Sequence, residues 1–377
     1  MPYWRLSAFY FFFFASVGAF VPYWSVYLKS LEFTSVEIGQ LMAILMATKI
    51  ISPNIWGWIA DHHGKRLPIV RLGAFFALIS FAFVFFVDSF LGMALMLMAC
   101  GFFWNATLPQ YEATTLNHLG EKSHLYTKIR VWGSIGFIVA VVLLGAILEH
   151  LGVSLLPYAI LVLMLGIWLA CMLTPAEAEQ THDESALSFR EVIKRPEVIA
   201  LFAVCFLMQA SHGPYYTFFS IYLETAGYSR TMVGQLWALG VIAEVVFFIW
   251  AHALFQKMSL KSFLLLSLIL ASLRWVLIAY FVDNIAVLLF AQCLHAASFG
   301  IYHAVAIQFI HRFFIGRSQG RGQALYSSLS FGLGGALGSL YSGYLWDSST
   351  TITFLSAAMM SFIAFLIAWR WLDHGKA

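Results

Sequence analysis

Five ionisable residues lie deep within long apolar stretches of the sequence. They are Lys49, His212, Glu244, Arg274 and His295. A charged side chain at the centre of a membrane-spanning helix costs about 2.5–3.5 kcal/mol on insertion scales, so such residues indicate function by default. The alternative for any single residue is a structural ion pair. Taken together, the five indicate a buried ionisable site.

Glutamates and histidines that lie within apolar stretches are suited to carrying a proton. Carboxylates removed from water and imidazoles can both gain and lose a proton near neutral pH. Glu244 is the preferred candidate because it is central in its stretch, and His295, Glu112 and His212 are the alternatives. We therefore expect proton coupling, with the proton gradient as the energy source and no cofactor.

The basic residues exceed the acids in these stretches, which favours an anionic ligand. Lys49, Arg130 and Arg274 stand against Glu112 and Glu244, leaving one net positive charge. Glu112 and Arg130 flank one short loop and can form a pair. A buried cation without a partner is costly, and arginine binds a carboxylate through two parallel hydrogen bonds. Four aromatic residues are candidates for stacking on an aromatic substrate: Trp24, Tyr215, Tyr216 and Trp275.

Twelve apolar runs are long enough to carry these residues across a membrane. A spanning helix needs about 20 mostly apolar residues. The chain is 61% hydrophobic and 10% charged, whereas a soluble domain is roughly one quarter charged. The sequence therefore predicts an all-α membrane protein with twelve transmembrane helices. The runs are 6–28, 36–60, 67–87, 91–116, 128–149, 151–173, 198–222, 231–255, 262–282, 285–310, 321–346 and 350–372.

A short stretch occurs twice in the chain. YLKSLEFTSVEIGQLMA, Tyr27–Ala43, and YLETAGYSRTMVGQLWA, Tyr222–Ala238, share six identities without a gap. Thr34 and Ser35 in the first copy and Ser229 in the second are the expected helix N-caps. The only long polar stretch, 174–197, divides the twelve runs into six and six. Parallel repeats are typical of transporters that bind substrate near the bilayer midplane between their halves. We expect an N-terminal six-helix bundle over 1–173, a cytoplasmic linker over 174–197 and a C-terminal bundle over 198–377.

The basic residues also predict the orientation of the chain. With both termini in the cytoplasm, all but four of the 21 Lys and Arg residues fall on the cytoplasmic side. Lys29 and Arg230 are external, and Lys49 and Arg274 lie within spans. This bias follows the positive-inside rule and indicates a multi-pass protein of the bacterial inner membrane.

The segment GWIADHHGKR, between the second and third runs, carries a spaced set of glycines and charges: Gly57, Asp61, Gly64, Lys65 and Arg66. It resembles the G-x-x-x-D-x-x-G-[RK]-[RK] signature of the major facilitator superfamily. The resemblance implies a fold of two six-helix bundles, with this loop latching a cytoplasmic gate against the eleventh helix. The eleventh run here reads FGLGGALGSLYSG, whose small residues favour close helix packing.

Two further resemblances narrow the function. YTKIRVWGSIGF, preceded by Glu112, is similar to the oligosaccharide/proton symporters that include lactose permease, which implies that Glu112 and Arg130 hold substrate. SLRW and CLHAAS place Arg274 and His295 at that group's arginine and histidine, whereas its proton-carrying glutamate is replaced by Ser298. PYWSVYLK, RVWGSIGF, SHGPYYTFFSIYLETAGYS and VGQLWALGVIAEVVFFI resemble the phenylpropionate permease family over nearly the whole chain.

These resemblances imply proton-coupled symport of a small aromatic carboxylate, such as 3-phenylpropionate, by alternating access. Uptake of a sugar or nucleoside and export of a drug or lipid are the alternatives. An enzyme is not expected, because no H-E-x-x-H or G-x-S-x-G motif occurs. The four cysteines lack zinc or disulfide spacing, so no metal is expected, and the charge pattern does not indicate a nucleic-acid partner. The resemblance implies a monomer in the lipid bilayer.

Overall fold

The computed structural model describes residues 2–63, 65–176, 189–255, 258–315 and 318–372, without the side chains of 61, 63 and 250–255. Every regular element of these residues is helical. Short 3-10 turns lie at Phe83–Phe86, Gly120–Leu125 and Val153–Leu155, and π-helical turns at Ala296–Ile301 and Ser328–Gly334. The α-helices are α1 Tyr3–Ser30, α2 Ser35–His63, α3 Arg66–Ala82, α4 Phe90–Leu119, α5 Tyr126–Leu151, α6 Leu156–Leu173, α7 Phe189–Val192, α8 Pro196–Ser211, α9 Gly213–Thr225, α10 Arg230–Phe255, α11 Leu260–Phe281, α12 Ile285–Cys293, α13 Tyr302–Phe313, α14 Ser318–Ser327, α15 Gly335–Trp346 and α16 Thr350–Trp371.

Ten helical segments of the described residues are long and apolar enough to cross a membrane. One of them, Phe90–Leu151, contains the two predicted runs 91–116 and 128–149 joined by a 3-10 turn. The predicted run 321–346 is not among the ten, since its many glycine and serine residues lower its mean hydropathy. Membrane-spanning helices are therefore confirmed, while the number twelve and the cytoplasmic termini stay predictions.

The chain forms two compact units, which are described separately. The first comprises Met1–His182 with Tyr228–Gln235, and the second comprises Asp183–Gly227 with Leu236–Ala377. In the first unit α1 packs against α5 and α6, and α4 packs against α2 and α3. In the second unit α16 packs against α8 and α11, and α9 packs against α15.

Polar residues fix the starts of two helices where the repeated stretch predicts them. Thr34 and Glu37 form a reciprocal cap before α2: the Thr34 backbone N–H donates to Glu37 Oε2 (2.9 Å) and the Glu37 N–H to Thr34 Oγ1 (3.3 Å). Ser229 Oγ accepts from the Met232 N–H (3.2 Å) at the start of α10. The predicted caps Thr34 and Ser229 are confirmed, whereas Ser35, also expected as a cap, is the first residue of α2.

Several helices of the second unit are interrupted where candidate site residues lie. The predicted run 198–222 breaks at His212, between α8 and α9, because Pro214 has no N–H to continue the hydrogen-bond ladder. The predicted run 285–310 passes through a π-helical turn that includes Ser298. Such turns occur frequently at functional sites because the extra residue redirects side chains.

Candidate functional site

The guanidinium of Arg274, on α11, is fully buried and hydrogen-bonded to neutral groups. Nη1 donates to Ser298 Oγ (3.0 Å) and to His295 Nδ1 (3.1 Å), and Nη2 donates to Gln292 Oε1 (2.8 Å). Its Nε has no partner among the described residues. No ion pair joins Arg274 to a carboxylate in the described part of the chain, so this buried charge lacks a direct counter-ion.

Aromatic rings enclose the Arg274 guanidinium. Its Cζ lies 4.2 Å from the ring centre of Tyr215 and 4.8 Å from that of Trp275, distances at which cation–π attraction is effective. The Tyr215 hydroxyl donates to Gln292 Oε1 (3.0 Å), and the Trp275 indole donates to Ser211 Oγ (3.3 Å). The rings therefore have fixed orientations as well as positions.

Glu244, on α10, lies on the far side of His295 from Arg274. Its Oε2 is 3.8 Å from His295 Nε2, with the Glu244 side chain 23% exposed and the His295 side chain 8% exposed. Two glycines allow this approach. A Cβ on Gly300 would lie 2.8 Å from Glu244 Cγ, and a Cβ on Gly240 would lie 3.2 Å from His295 Cβ. The predicted proton candidates Glu244 and His295 are thus brought together with Arg274.

His212 borders this cluster without bonding to it. Its Nδ1 lies 2.8 Å from the Met208 carbonyl oxygen, and because a carbonyl only accepts, Nδ1 carries the proton. Its ring stacks on Tyr216 (5.4 Å between centres) and meets Trp275 edge-on (4.9 Å). The predicted residues His212, Tyr216 and Trp275 therefore form a wall beside the guanidinium.

Gln292 is central to this cluster, although sequence reasoning missed it. It is fully buried and its Oε1 accepts from both Arg274 and Tyr215. This double acceptance fixes the amide orientation, since a flipped amide would face two donors. The sequence spacing could have identified Gln292, because it precedes His295 by three residues, which places both on one face of a helix.

The first unit holds a separate charged cluster, which contains the predicted pair Glu112 and Arg130. Arg130 Nε lies 3.9 Å from Glu112 Oε1, and each side chain is 32% exposed. The Tyr126 hydroxyl donates to Glu112 Oε1 (3.2 Å), and Arg130 Cζ lies 3.9 Å from the ring centre of Phe14. Because each charge has an opposite partner, this cluster is suited to neutral hydrogen-bonding groups.

Two other predicted residues of the first unit lie outside that cluster. The Lys49 side chain, on α2, is half-buried and makes no hydrogen bond or ion pair with any residue that the structure describes. Trp24 is fully buried, and its ring packs against Phe20 (5.1 Å) and Phe81 (5.6 Å). Trp24 thus belongs to the aromatic core of its unit.

The motif between α2 and α3 contacts α4. Arg66 Nη1 donates to Gln110 Oε1 (2.7 Å), and a Cβ on Gly57 would lie 3.7 Å from Gln110 Nε2. Lys65 is exposed and precedes the first residue of α3. Gly64 and the side chain of Asp61 lie outside the described residues. Within those residues there is no group of three His, Cys, Asp or Glu suited to a metal ion.

Comparison with known proteins shows the family to which the chain belongs. A family model described as "MFS_1 like family" matches residues 3–356. The chain belongs to this family. The match confirms the resemblance to the major facilitator superfamily drawn from the motif between α2 and α3, and with the apolar helices it identifies a multi-pass membrane protein of a transporter family.

Several proteins that are similar to this chain are named as transporters. The "Probable 3-phenylpropionic acid transporter" of Escherichia coli (strain K12) is 29% identical over 348 residues, covering 90% of this chain and 89% of the relative. The "Maltose permease" of Geobacillus stearothermophilus is 25% identical over 360 residues, covering 92% of this chain and 89% of the relative. The crystal structure of a mutant of the nucleoside transporter NupG has a TM-score of 0.87 at 17% identity, covering 98% of this chain and 100% of NupG, which shows a shared fold.

Proposed function

We propose that this MFS_1 like protein is a secondary active transporter of the bacterial inner membrane that imports a small aromatic carboxylate together with a proton. A compound of the 3-phenylpropionate type is the proposed substrate, moved by alternating access. The observation that carries the proposal is the buried Arg274 guanidinium, whose described partners are neutral. The name of the Escherichia coli relative supports the same class of substrate.

Arg274 is proposed to bind the substrate carboxylate. A buried charge is costly when its partners are neutral, and a carboxylate arriving at Arg274 would offset that cost through paired, charge-assisted hydrogen bonds. The carboxylate is proposed to accept from Nη1 and Nη2, in place of the neutral acceptors that these two nitrogens contact. Tyr215, Tyr216 and Trp275 supply ring faces for an aromatic substrate.

Charge balance at the same cluster supports proton coupling. Arg274 and Glu244 carry opposite charges, so with His295 neutral the cluster sums to zero. A bound carboxylate makes it negative, and one proton taken up by the Glu244–His295 pair restores zero. The Glu244 side chain is 23% exposed, which gives a proton access to the pair. The pair is therefore proposed as the proton site.

Uptake of a sugar or nucleoside is the second candidate function, and one observation favours it. Glu112 and Arg130 already pair with each other and remain accessible. Sugar hydroxyls can donate to Glu112 and accept from Arg130 without disturbing the charge balance, and the Tyr126 hydroxyl adds a third polar group. The maltose permease relative belongs to this alternative.

Ligand-induced thermal stabilisation of the purified protein tests the first proposal against the second. The ligands are 3-phenylpropionate, its neutral amide, maltose and uridine, applied to the wild type and to Arg274→Gln. We expect stabilisation by the acid alone, and a Kd weakened about tenfold or more in Arg274→Gln, because the charge-assisted hydrogen bonds are lost. Arg370→Gln is the matched control, since Arg370 lies at the exposed end of α16. Equal stabilisation by the amide, or an unchanged Kd in Arg274→Gln, would contradict the proposal.

A further inference from the structure

The hydrogen bond between Arg274 and His295 fixes where the histidine carries its proton. Arginine has donors only, so His295 Nδ1, which lies 3.1 Å from Arg274 Nη1, must offer its lone pair. The single proton of the neutral ring therefore sits on Nε2. Nε2 faces Glu244 Oε2 at 3.8 Å, so the imidazole is held between a cation on one side and a carboxylate on the other.

This arrangement excludes a second proton on His295. The second proton would have to occupy Nδ1, where it would point at the N–H of Arg274 Nη1. Two donors would then oppose each other across 3.1 Å, and two positive charges would meet in a buried site. The Arg274–His295 hydrogen bond and the charged form of His295 are therefore mutually exclusive.

The charged groups around His295 have opposite effects on whether its ring is protonated. Glu244 favours the charged ring and Arg274 opposes it, while Tyr215 contributes a neutral ring 6.1 Å away. The titratable and charged groups that face the imidazole are Arg274 from α11, Glu244 from α10, Tyr215 from α9, His212 at the end of α8 and, beyond Phe299 on its own helix, His303.

We propose that His295 is the residue at which substrate and proton are coupled, and that Arg274 is the switch. This inference rests on the proposed function, because the switch is operated by the substrate carboxylate. When the carboxylate accepts from Arg274 Nη1, the Nδ1 lone pair of His295 is released. A proton from water then binds to Nδ1, and the imidazolium forms an ion pair with Glu244. Release of the substrate returns Arg274 to Nδ1 and expels the proton.

Calorimetric titration of the purified protein with 3-phenylpropionate tests this coupling. Titrations in buffers of different ionisation enthalpy, between pH 6 and pH 8, give the number of protons taken up per bound substrate. We expect the wild type to take up about one proton per substrate, with a Kd that weakens as the pH rises through that window. His295→Asn keeps an oxygen acceptor for Arg274 but cannot be protonated, so it should bind substrate without proton uptake and with a Kd that is independent of pH.

Two further variants keep the test decisive. His295→Gln is equally unable to take a second proton and serves if His295→Asn does not fold. His303→Asn makes the same change on the same helix, away from Arg274, and should retain proton uptake. Full proton uptake by the His295 variants, or none by a wild type that binds substrate, would overturn the inference while leaving the anion site intact. A wild type that does not bind 3-phenylpropionate at all would instead refute the proposed function.

Discussion

Gln292 shows how much a single uncharged side chain can decide at this site. Its Oε1 accepts from the Arg274 guanidinium and the Tyr215 hydroxyl, while its Nε2 is buried without a partner among the described residues. The amide thus holds Arg274 in place without neutralising it. That neutrality leaves the guanidinium charge available to the proposed substrate carboxylate.

Changing Gln292 to glutamate should therefore block anion binding. A carboxylate at this position would pair with Arg274 inside the protein, and the substrate would then have to displace it. We expect Gln292→Glu to weaken the Kd for 3-phenylpropionate about tenfold or more, measured by calorimetry, while the apparent Tm without substrate does not fall. The exposed Gln323→Glu is the matched control. An unchanged Kd in Gln292→Glu would show that the carboxylate does not use Arg274.

The charged residues of the candidate site could be predicted from the sequence, whereas the uncharged Gln292 was missed. The cost of burying a charge singled out Arg274, Glu244 and His295, and the structure brings them together. Gln292 carries a smaller burial cost, so the same reasoning passed over it. Trp24 shows the reverse case, because an aromatic residue in an apolar run looks the same in sequence whether it lines a site or fills a core.

At the scale of helices, interruptions determine where the site residues lie. The break at His212 separates α8 from α9, so that Tyr215 lies in the first turn of a new helix with its ring against Arg274. Gly338 of α15 lies directly against this break, and a Cβ there would lie 2.7 Å from the Ala210 carbonyl oxygen. Backbone contacts this close require glycine.

Gly338→Ala should accordingly destabilise the second unit. The added methyl group meets backbone atoms that cannot rotate away, so overpacking of this kind is expected to cost about 1–3 kcal/mol. The measurement is the apparent Tm in detergent. Gly320→Ala, where a Cβ meets nothing within 4 Å, is the control and should not lower the Tm. If both variants had the same Tm as the wild type, the close contact between α15 and the break that separates α8 from α9 would be contradicted.

The helices themselves were largely predictable, and their interruptions only in part. Runs of about 20 apolar residues predicted α1 to α6 with ends close to those observed. The Gly213-Pro214 pair signalled the break after α8, but the interpretation of 198–222 as one run ignored it. The π-helical turns at Ala296–Ile301 and Ser328–Gly334 were not predicted, because the apolar pattern on which the runs rest continues through them.

At the scale of the whole molecule, the surface is largely apolar. Residues such as Phe86 and Ile249 expose most of their side chains, 83% and 71% respectively. A soluble protein with such a surface would aggregate, whereas a lipid bilayer solvates it. Composition alone therefore predicted the membrane environment. The domain limits stay predictions. The side of the membrane that holds the termini also stays a prediction, because the positive-inside rule concerns how a chain is inserted into the membrane, and the folded structure does not record that side.

The proposed charge balance predicts how the whole transporter responds to the two components of the proton-motive force. One carboxylate and one proton carry no net charge across the membrane. The accumulation ratio of 3-phenylpropionate in proteoliposomes should therefore increase about tenfold with an imposed gradient of one pH unit, acid outside, and should not respond to a potassium-diffusion potential alone. Protein-free liposomes are the control for passive entry of the acid. Stimulation by an inside-negative potential would instead require more than one proton per substrate.

The rings of Tyr215 and Trp275 beside Arg274 would also limit which substrates the proposed site accepts. Because the guanidinium has two neighbouring aromatic rings beside it, the proposed site would hold one end of a molecule by charge and place the rest against apolar rings. A dicarboxylate such as succinate would have to lose the water around its second carboxylate without gaining a partner for that charge. The proposed site would thus exclude doubly charged metabolites through the cost of removing water from their second charge, before the shape of the molecule matters.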